Sequence, residues 1–487
     1  MNTFSTHKLL VIFSITFISI ITILSTAFHY PIHFIDALSS EVTPNYTVHI
    51  SAWRVLGEPF FGPVLYVLRA DQPLKEYSVL LIWILSAMLL YYIYTALRNR
   101  NKLSAVIKVL LSGLAKLLVA AIIWIAVLLI MIFAPLPSNT IVNHTADQIL
   151  LNIHAHTEYS HDGLISHRDL LQWHHRNGFD AFFMTDHNHH LKTLEAVQAQ
   201  KAGTLPAIPL ILAGEEFSGG NHILLLGLKR DFSTRGLSDS SAVDSAHANG
   251  GVAIVAHWFD GERRPLQYLV DCGANGFEIV NQGTGLSYNR QAFRKIVDIC
   301  TANDLLMLGA CDYHGYGSAC FTWNALTISG WRDMDDVQQQ AEILDILRQQ
   351  DQDRITVLCY RDRDIFDRSK AYLSPLLSFI GYFRSLNFMQ LLSWIIWILI
   401  FLAIKIALAR PDRKKWLQAN SLRLWGGIGV LNAAFILAIG IMLLRRIDLA
   451  TRFNEIYAEF GNLFLFIGLG SMLFSMILVW CKKKRRN

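Results

Sequence analysis

Six stretches of this sequence run for about the length of a bilayer-crossing helix, roughly 20 residues, without a charged side chain. They lie between Lys8 and Asp36, Glu76 and Arg98, Lys116 and Pro135, Arg384 and Lys405, Arg423 and Arg445, and Glu459 and Lys482. A core helix of a soluble protein rarely goes ~18 residues without a charge, so six such runs predict six membrane spans. Only 17% of the residues are charged, against about 25% in soluble domains. The first run has small residues, Ser25-Thr26-Ala27, where a signal peptide could be cut. Its apolar core exceeds the ~7–15 residues of such peptides, which favours an uncleaved anchor.

Charge is divided unevenly along the chain. Residues 141–368 hold 18 Lys+Arg against 29 Asp+Glu, net −11; the remainder holds 25 against 9, net +16, and the two sum to the overall +5. Of the 18 histidines, 13 fall within 151–320. An acidic, histidine-rich block therefore sits inside a basic, apolar framework. The chain divides into membrane regions 1–140 and 369–487, with three spans each, around a domain at 141–368. The stretch from Val55 to Arg69, broken by Pro59 and Pro63, reads as an interfacial or re-entrant piece. Residues 371–387 read as an amphipathic lead-in to the fourth span.

Lys and Arg in short loops favour the cytoplasmic side. One side receives Lys8, Arg98, Arg100, Lys102, Arg410, Arg413, Lys414, Lys415, Arg423 and the tail from Lys482 to Arg486. The other receives Arg54, Arg69, Lys75, Arg445, Arg446 and Arg452. This predicts an integral protein, as in a bacterial inner membrane, with both termini cytoplasmic and the block extracytoplasmic. Arg445 and Arg446 go against the bias.

Within the block the pattern changes to short apolar runs at 148–153, 181–185, 208–213, 223–228, 252–256, 276–280, 306–310 and 355–359. Helical segments intervene near 166–177, 190–202, 238–249, 289–303 and 336–350. Alternating strands and helices predict parallel βαβ units, and their number suggests a closed barrel, in which chemistry gathers where strands end. The polar residues obey that rule. The runs lead into His154-Ala155-His156 and Ser160-His161-Asp162-Gly163, Asp186-His187-Asn188, Gly214-Glu215-Glu216, His257, and Asp312-Tyr313-His314. Alternate strand residues share a face, so His154 and His156 can converge, as can Asp312 and His314. A mixed imidazole and carboxylate set larger than four suits a multinuclear catalytic centre better than a closed structural zinc site.

These residues resemble a known family. HAHTEYSHDG, FMTDHN, GEEFS, IVAHW and ACDYH, in that order, look like the PHP (polymerase and histidinol phosphatase) superfamily, over about 148–360. The resemblance implies an α/β fold, a distorted (β/α)7 barrel holding two or three divalent ions (Mn, Zn or Fe), usually for phosphoester hydrolysis. It implies metal ligands at His154, His156, Asp162, His187, Glu216, His257, Asp312 and His314, and more loosely His222. Glu216, His257 and Asp312 are the candidate catalytic residues. Two departures stand out. Ser-His-Asp-Gly is one residue longer than the short family form, leaving a choice between His161 and Asp162 in which Asp162 is favoured. Cys311 stands where relatives often have a small residue.

Neighbouring polar residues have plainer expectations. Glu215 points to the opposite face of its strand. His189 and His190 read as solvated capping residues, and His174 and His175 as surface positions in a helix. Asp186 orients the site without binding metal. Arg263, Arg264 and Asn281 are as consistent with substrate contact as with a solvated loop or strand end. Five cysteines lie in the block (Cys272, Cys300, Cys311, Cys320, Cys359) and Cys481 ends the last span. An extracytoplasmic domain permits disulfides, though an odd number leaves one thiol unpaired within a chain.

The expected function is a membrane-anchored metal-dependent phosphoesterase that hydrolyses a small or lipid-linked phosphoester with a metal-activated water. The alternatives are a nuclease or nucleotide phosphodiesterase of the same fold, or a non-catalytic metal- or ligand-binding sensor. The block's net −11 argues against long nucleic acid as a partner. Membrane lipid is an expected partner; the sequence leaves the oligomeric state open.

Overall fold

The computed structural model describes residues 3–70, 73–98, 103–282, 290–317, 319–363, 372–408, 416–417, 420–447 and 455–480. Arg100, Lys102, Arg410, Arg413, Lys414, Lys415, Arg452, Cys481 and the tail from Lys482, all used above, lie outside these residues.

Helix α1 (Thr3–Thr26) leads into strands β1 (His33–Asp36) and β2 (Tyr46–His49). Short helices α2 (Ala52–Leu56) and α3 (Glu58–Leu68) precede the long helices α4 (Pro73–Arg98) and α5 (Leu103–Phe133). The domain follows: β3 (Thr140–Asn143), β4 (Gln148–Asn152), α6 (His167–Arg176), β5 (Ala181–Met184), α7 (Leu191–Lys201), β6 (Leu210–Ser218), β7 (His222–Leu226) and α8 (Asp239–Ala248). It continues through β8 (Val252–Val255), α9 (Leu266–Asp271), β9 (Gly276–Asn281), α10 (Arg290–Ala302), β10 (Leu306–Ala310), β11 (Thr322–Thr327), α11 (Asp336–Arg348) and β12 (Ile355–Arg361). Helices α12 (Ser374–Arg384), α13 (Phe388–Leu408), α14 (Ser421–Arg446) and α15 (Glu455–Trp480) complete the chain.

By length and composition α1, α4, α5, α13, α14 and α15 can each cross a membrane. Small residues let two of them touch closely. A Cβ on Gly440 of α14 would stand 3.0 Å from the Gly461 carbonyl of α15, the kind of approach by which helices associate in lipid. The proline-broken stretch forms α2 and α3, and the lead-in to the fourth span forms α12. Between them lies a buried polar cluster: Arg54 pairs with Glu58, whose carboxylate also accepts from Tyr382 (2.6 Å) and Gln390 (2.9 Å).

The sheet is mixed, with strand order β1-β12-β11-β4-β5-β6-β7-β8-β9-β10. The pairs β4/β5, β5/β6, β8/β9 and β9/β10 are parallel; β6/β7, β7/β8, β4/β11, β11/β12 and β1/β12 are antiparallel. Every residue of β5, β8 and β10 is buried, as expected of strands covered on both faces. The wholly parallel expectation therefore gives way to an α/β sheet that curls into a distorted barrel. Its seam between β4 and β10 is closed by side chains. The Asn324 carboxamide accepts from Gly309 N (2.7 Å) and donates to the carbonyls of Gly309 (2.7 Å) and Leu151 (3.1 Å), and Asn152 accepts from Cys311 N (3.1 Å). Beyond the strands, Ala155 and Tyr313 form a parallel bridge, so the seam shuts where the candidate ligands lie.

One surface expectation is overturned. His174 is fully buried, with its ring stacked 3.8 Å from that of Phe182. Its Nδ1 lies 2.9 Å from the Leu170 carbonyl and its Nε2 2.9 Å from the Asn152 amide nitrogen, an arrangement that fits the neutral ring. His175, by contrast, is exposed. Burial pushes the His174 pKa down to about 3, so below about pH 6.5 the unfolded chain binds a proton that the folded chain refuses. Stability from this residue is therefore present above that pH and lost as pH falls, by about 2 kcal/mol at pH 5. Thermal unfolding in detergent should fall more steeply from pH 6.5 to 5 in wild type than in His174→Gln. Equal slopes would contradict this assignment.

Candidate metal centre

The carboxyl ends of β4, β5, β6, β8 and β10 deliver the candidate residues to one place. Glu216 is its hub. Its Oε2 lies 3.1 Å from His154 Nε2, 3.1 Å from His156 Nε2 and 3.3 Å from His187 Nε2. Its Oε1 lies 2.6 Å from His222 Nδ1 and 3.1 Å from His257 Nε2. Asp312 Oδ1 stands 3.3 Å from His154 Nε2 and 3.1 Å from His156 Nε2. Asp162 Oδ2 stands 3.2 Å from His187 Nε2 and 3.1 Å from His314 Nε2.

Three overlapping groups result: His156, Asp162, His187 and His314; His154, His156, Glu216 and Asp312; and His187, Glu216 and His222, with the donor atoms of each within 4.8 Å of one another. His257 joins through Glu216. Between the two residues of the longer Ser-His-Asp-Gly element, Asp162 is the one that converges; the His161 side chain is 58% exposed and 3.8 Å from Asp162. In that element a Cβ on Gly163 would collide with the Thr157 carbonyl, so the turn requires glycine. His257 (φ 25°), Asp312 (φ 46°) and Asn188 (φ 54°) hold left-handed backbone conformations, strain of the kind stored at functional sites.

The donor chemistry fits divalent ions. His154 Nδ1 lies 2.8 Å from Glu278, His187 Nδ1 2.8 Å from Ser218 Oγ, His314 Nδ1 2.8 Å from the Asp312 carbonyl and His156 Nδ1 3.3 Å from Ser160 Oγ. Each ring is thus held from outside and turns Nε2 inward, as metal-binding imidazoles do. Electrostatics agree. Burial disfavours ionised Glu216, yet His154 and His187 outweigh it and hold the carboxyl well below its usual range. Asp312 and Asp162 are likewise held low against burial, Asp312 by His154 and His314 and Asp162 by hydrogen bonds from His187 and His314. In return, despite burial, the carboxylates raise His156 to about 10 and His154 well above its ordinary value. The centre demands positive charge; divalent cations would meet that demand with the imidazoles neutral.

Supporting residues surround the cluster. Asp186 accepts from Thr157 N (2.6 Å) and Oγ1 (2.7 Å) and so fixes the loop after His156. Glu278 was not anticipated. It is fully buried and, besides holding His154, accepts from His257 N and Asn281 Nδ2, both at 2.8 Å. A single carboxylate inside the apolar run FEIV was the available signal. Asn281 thus braces Glu278. Glu215 faces away from the cluster and pairs with His190 and Thr234; His190 is fully buried, not a solvated cap, because that carboxylate needs a partner. Arg263 and Arg264 are exposed on the loop after His257. All five domain cysteines are free and buried, with Cys311 Sγ 3.6 Å from Cys320 Sγ.

No family model matches the chain, and no curated protein matches it. Among solved structures it is similar to a two-domain protein from Bacteroides vulgatus containing a predicted PHP-like metal-dependent phosphoesterase. That likeness has 16% identity and TM-score 0.33, over 43% of this chain and 64% of that one. It is also similar to an amidohydrolase from Chromobacterium violaceum, with 15% identity and TM-score 0.27, over 34% of this chain and 89% of that one. At these values the reading of the site rests on its own geometry.

The full-length protein, purified without chelator, should carry more than one divalent ion per chain by inductively coupled plasma mass spectrometry. His154→Ala combined with His156→Ala should remove at least one. A wild-type content of one ion or none would show that the cluster is not multinuclear.

Proposed function

We propose that the protein is a membrane-anchored metal-dependent hydrolase of phosphoester bonds, acting on a small or lipid-linked substrate. The observation that carries this reading is Glu216, a buried carboxylate whose two oxygens each face imidazoles from different strand ends. A carboxylate so placed can bridge two ions, which a single imidazole nitrogen cannot. His154, His156, Asp162, His187, Glu216, His222, His257, Asp312 and His314 would hold two or three divalent ions. When bound, such ions supply Lewis acidity toward water and toward the phosphoryl oxygens.

The chain's own residues do the rest. Glu278, Ser218 and Ser160 keep the imidazoles oriented, so the donor set is organised before substrate arrives. His154, His156 and Glu216 form a dry floor, whereas Asp162 (29% exposed) and His222 (24%) mark the accessible edge. Substrate phosphate enters there. Glu216, His257 and Asp312 are the residues proposed to face the reacting group. The ordered motifs shared with the PHP superfamily support phosphoester chemistry, and the domain's acidity disfavours a nuclease. The loop charges support cytoplasmic termini with the domain on the far side.

Glu216→Gln keeps the side-chain shape and removes the charge. With added Mn²⁺, hydrolysis of an aryl phosphate should fall about 100-fold or more, the scale of losing one preorganised electrostatic group. Thermal unfolding checks that the variant is folded. Equal rates in wild type and variant would refute the catalytic assignment. Metal binding without turnover in the wild type would indicate a sensor instead.

A further inference from the structure

The direction of the strands fixes which way the metal centre faces. β1 enters from α1 and runs antiparallel to β12, which exits toward α12 and runs in the same sense as β4. The carboxyl ends of β4 and β12 therefore point toward the membrane helices. The rim loops confirm it by contact. Leu164, two residues after Asp162, donates from its backbone N to the His314 carbonyl (2.8 Å). Its side chain is buried among Ile122, Ala126 and Leu129 of α5, Ile436 and Leu443 of α14, and Tyr457 of α15. Three residues past His314, Gly317 N donates to the Ile132 carbonyl of α5 (2.9 Å). The two loops that carry Asp162 and His314 thus rest directly on the membrane bundle.

At that junction stand the two arginines that the loop-charge pattern left unexplained. Arg446 Nη1 donates to the Leu164 carbonyl at 3.3 Å. Arg445 is exposed and has no ion pair or hydrogen bond among the described residues. Together with Ala438, Ile441 and Met442 they form an open, shallow face along the flank of α14. Other long apolar helices also carry single exposed cations, Lys8, Arg98, Lys108 and Lys405. The last turn of α14 holds two adjacent cations, one of them tied through Leu164 to the loops bearing Asp162 and His314.

We infer that the substrate is a membrane-embedded lipid phosphoester, seated with its chain along α14 and its phosphate beside Arg445, and reaching the metal centre from the bilayer side. The inference rests on the hydrolase reading above and narrows its substrate class. An apolar wall capped by cations matches an amphiphile with an anionic head. The most exposed candidate ligand, Asp162, lies beside the loop segment that Arg446 holds.

The test uses full-length protein in phosphatidylcholine nanodiscs containing phosphatidic acid or phosphatidylglycerol. Water-soluble aryl phosphate mono- and diesters run in parallel. One embedded lipid should be hydrolysed, and Arg445→Ala should lower the ratio of lipid to aryl ester turnover about tenfold, the effect of losing one charge-assisted contact; Arg445→Lys should restore most of it. Turnover of aryl esters without lipid turnover, or a ratio unchanged in Arg445→Ala, would overturn the inference and leave the hydrolase reading standing. If nothing is hydrolysed, the hydrolase reading fails and lipid retention decides. Anionic lipid retained on purification by wild type but not by Arg445→Ala, counted by mass spectrometry, would uphold the docking site. No such preference would overturn it.

Discussion

Glu216 is the interaction on which the rest of the centre depends. An ionised carboxylate that is 1% exposed is costly unless positive charge and hydrogen bonds surround it. The fold meets that cost by bringing His154, His156, His187, His222 and His257 around it, from the ends of β4, β5 and β8 and the start of β7. No single element could do this. Helix periodicity places few side chains on one point, whereas a curled sheet makes neighbouring strand ends converge. The seam held by Asn324 and Asn152 serves the same end, because it brings the Asp312 loop against the His154 loop without a continuous ladder.

Long apolar helices also pack against the domain. Arg446, Leu164, Gly317 and Ile132 join the helix bundle to the rim that carries Asp162 and His314. Arg69 adds a second contact, donating to the carbonyls of Cys320 (3.5 Å) and Asn139 (2.9 Å). The rim that carries the cluster is thereby packed against the apolar helices.

Much of this was legible in the sequence, for definite reasons. Spans announce themselves because a charge in lipid is expensive over a fixed length. The buried strands were legible as apolar runs, and the convergent side chains because imidazoles and carboxylates at strand ends have little structural purpose. Other features were hidden. Strand β11 carries Asn324 in its middle, which breaks the apolar run while serving the seam. Strands β1 and β2 pair with β12 and β3, partners more than 90 residues away, so nothing local marks them. His174, His190 and Glu278 were misread or missed because composition near a residue does not say which way its side chain turns. Their partners Asn152, Glu215 and His154 come from other elements.

The central claim is that Glu216 joins a multinuclear metal centre. Anomalous diffraction at the manganese edge, from crystals of the full-length protein grown with Mn²⁺, tests it most directly. The account predicts at least two peaks, one against His154, His156 and Asp312 and another against His187 and His222, with Glu216 touching both. A single peak, or none in contact with Glu216, would contradict it.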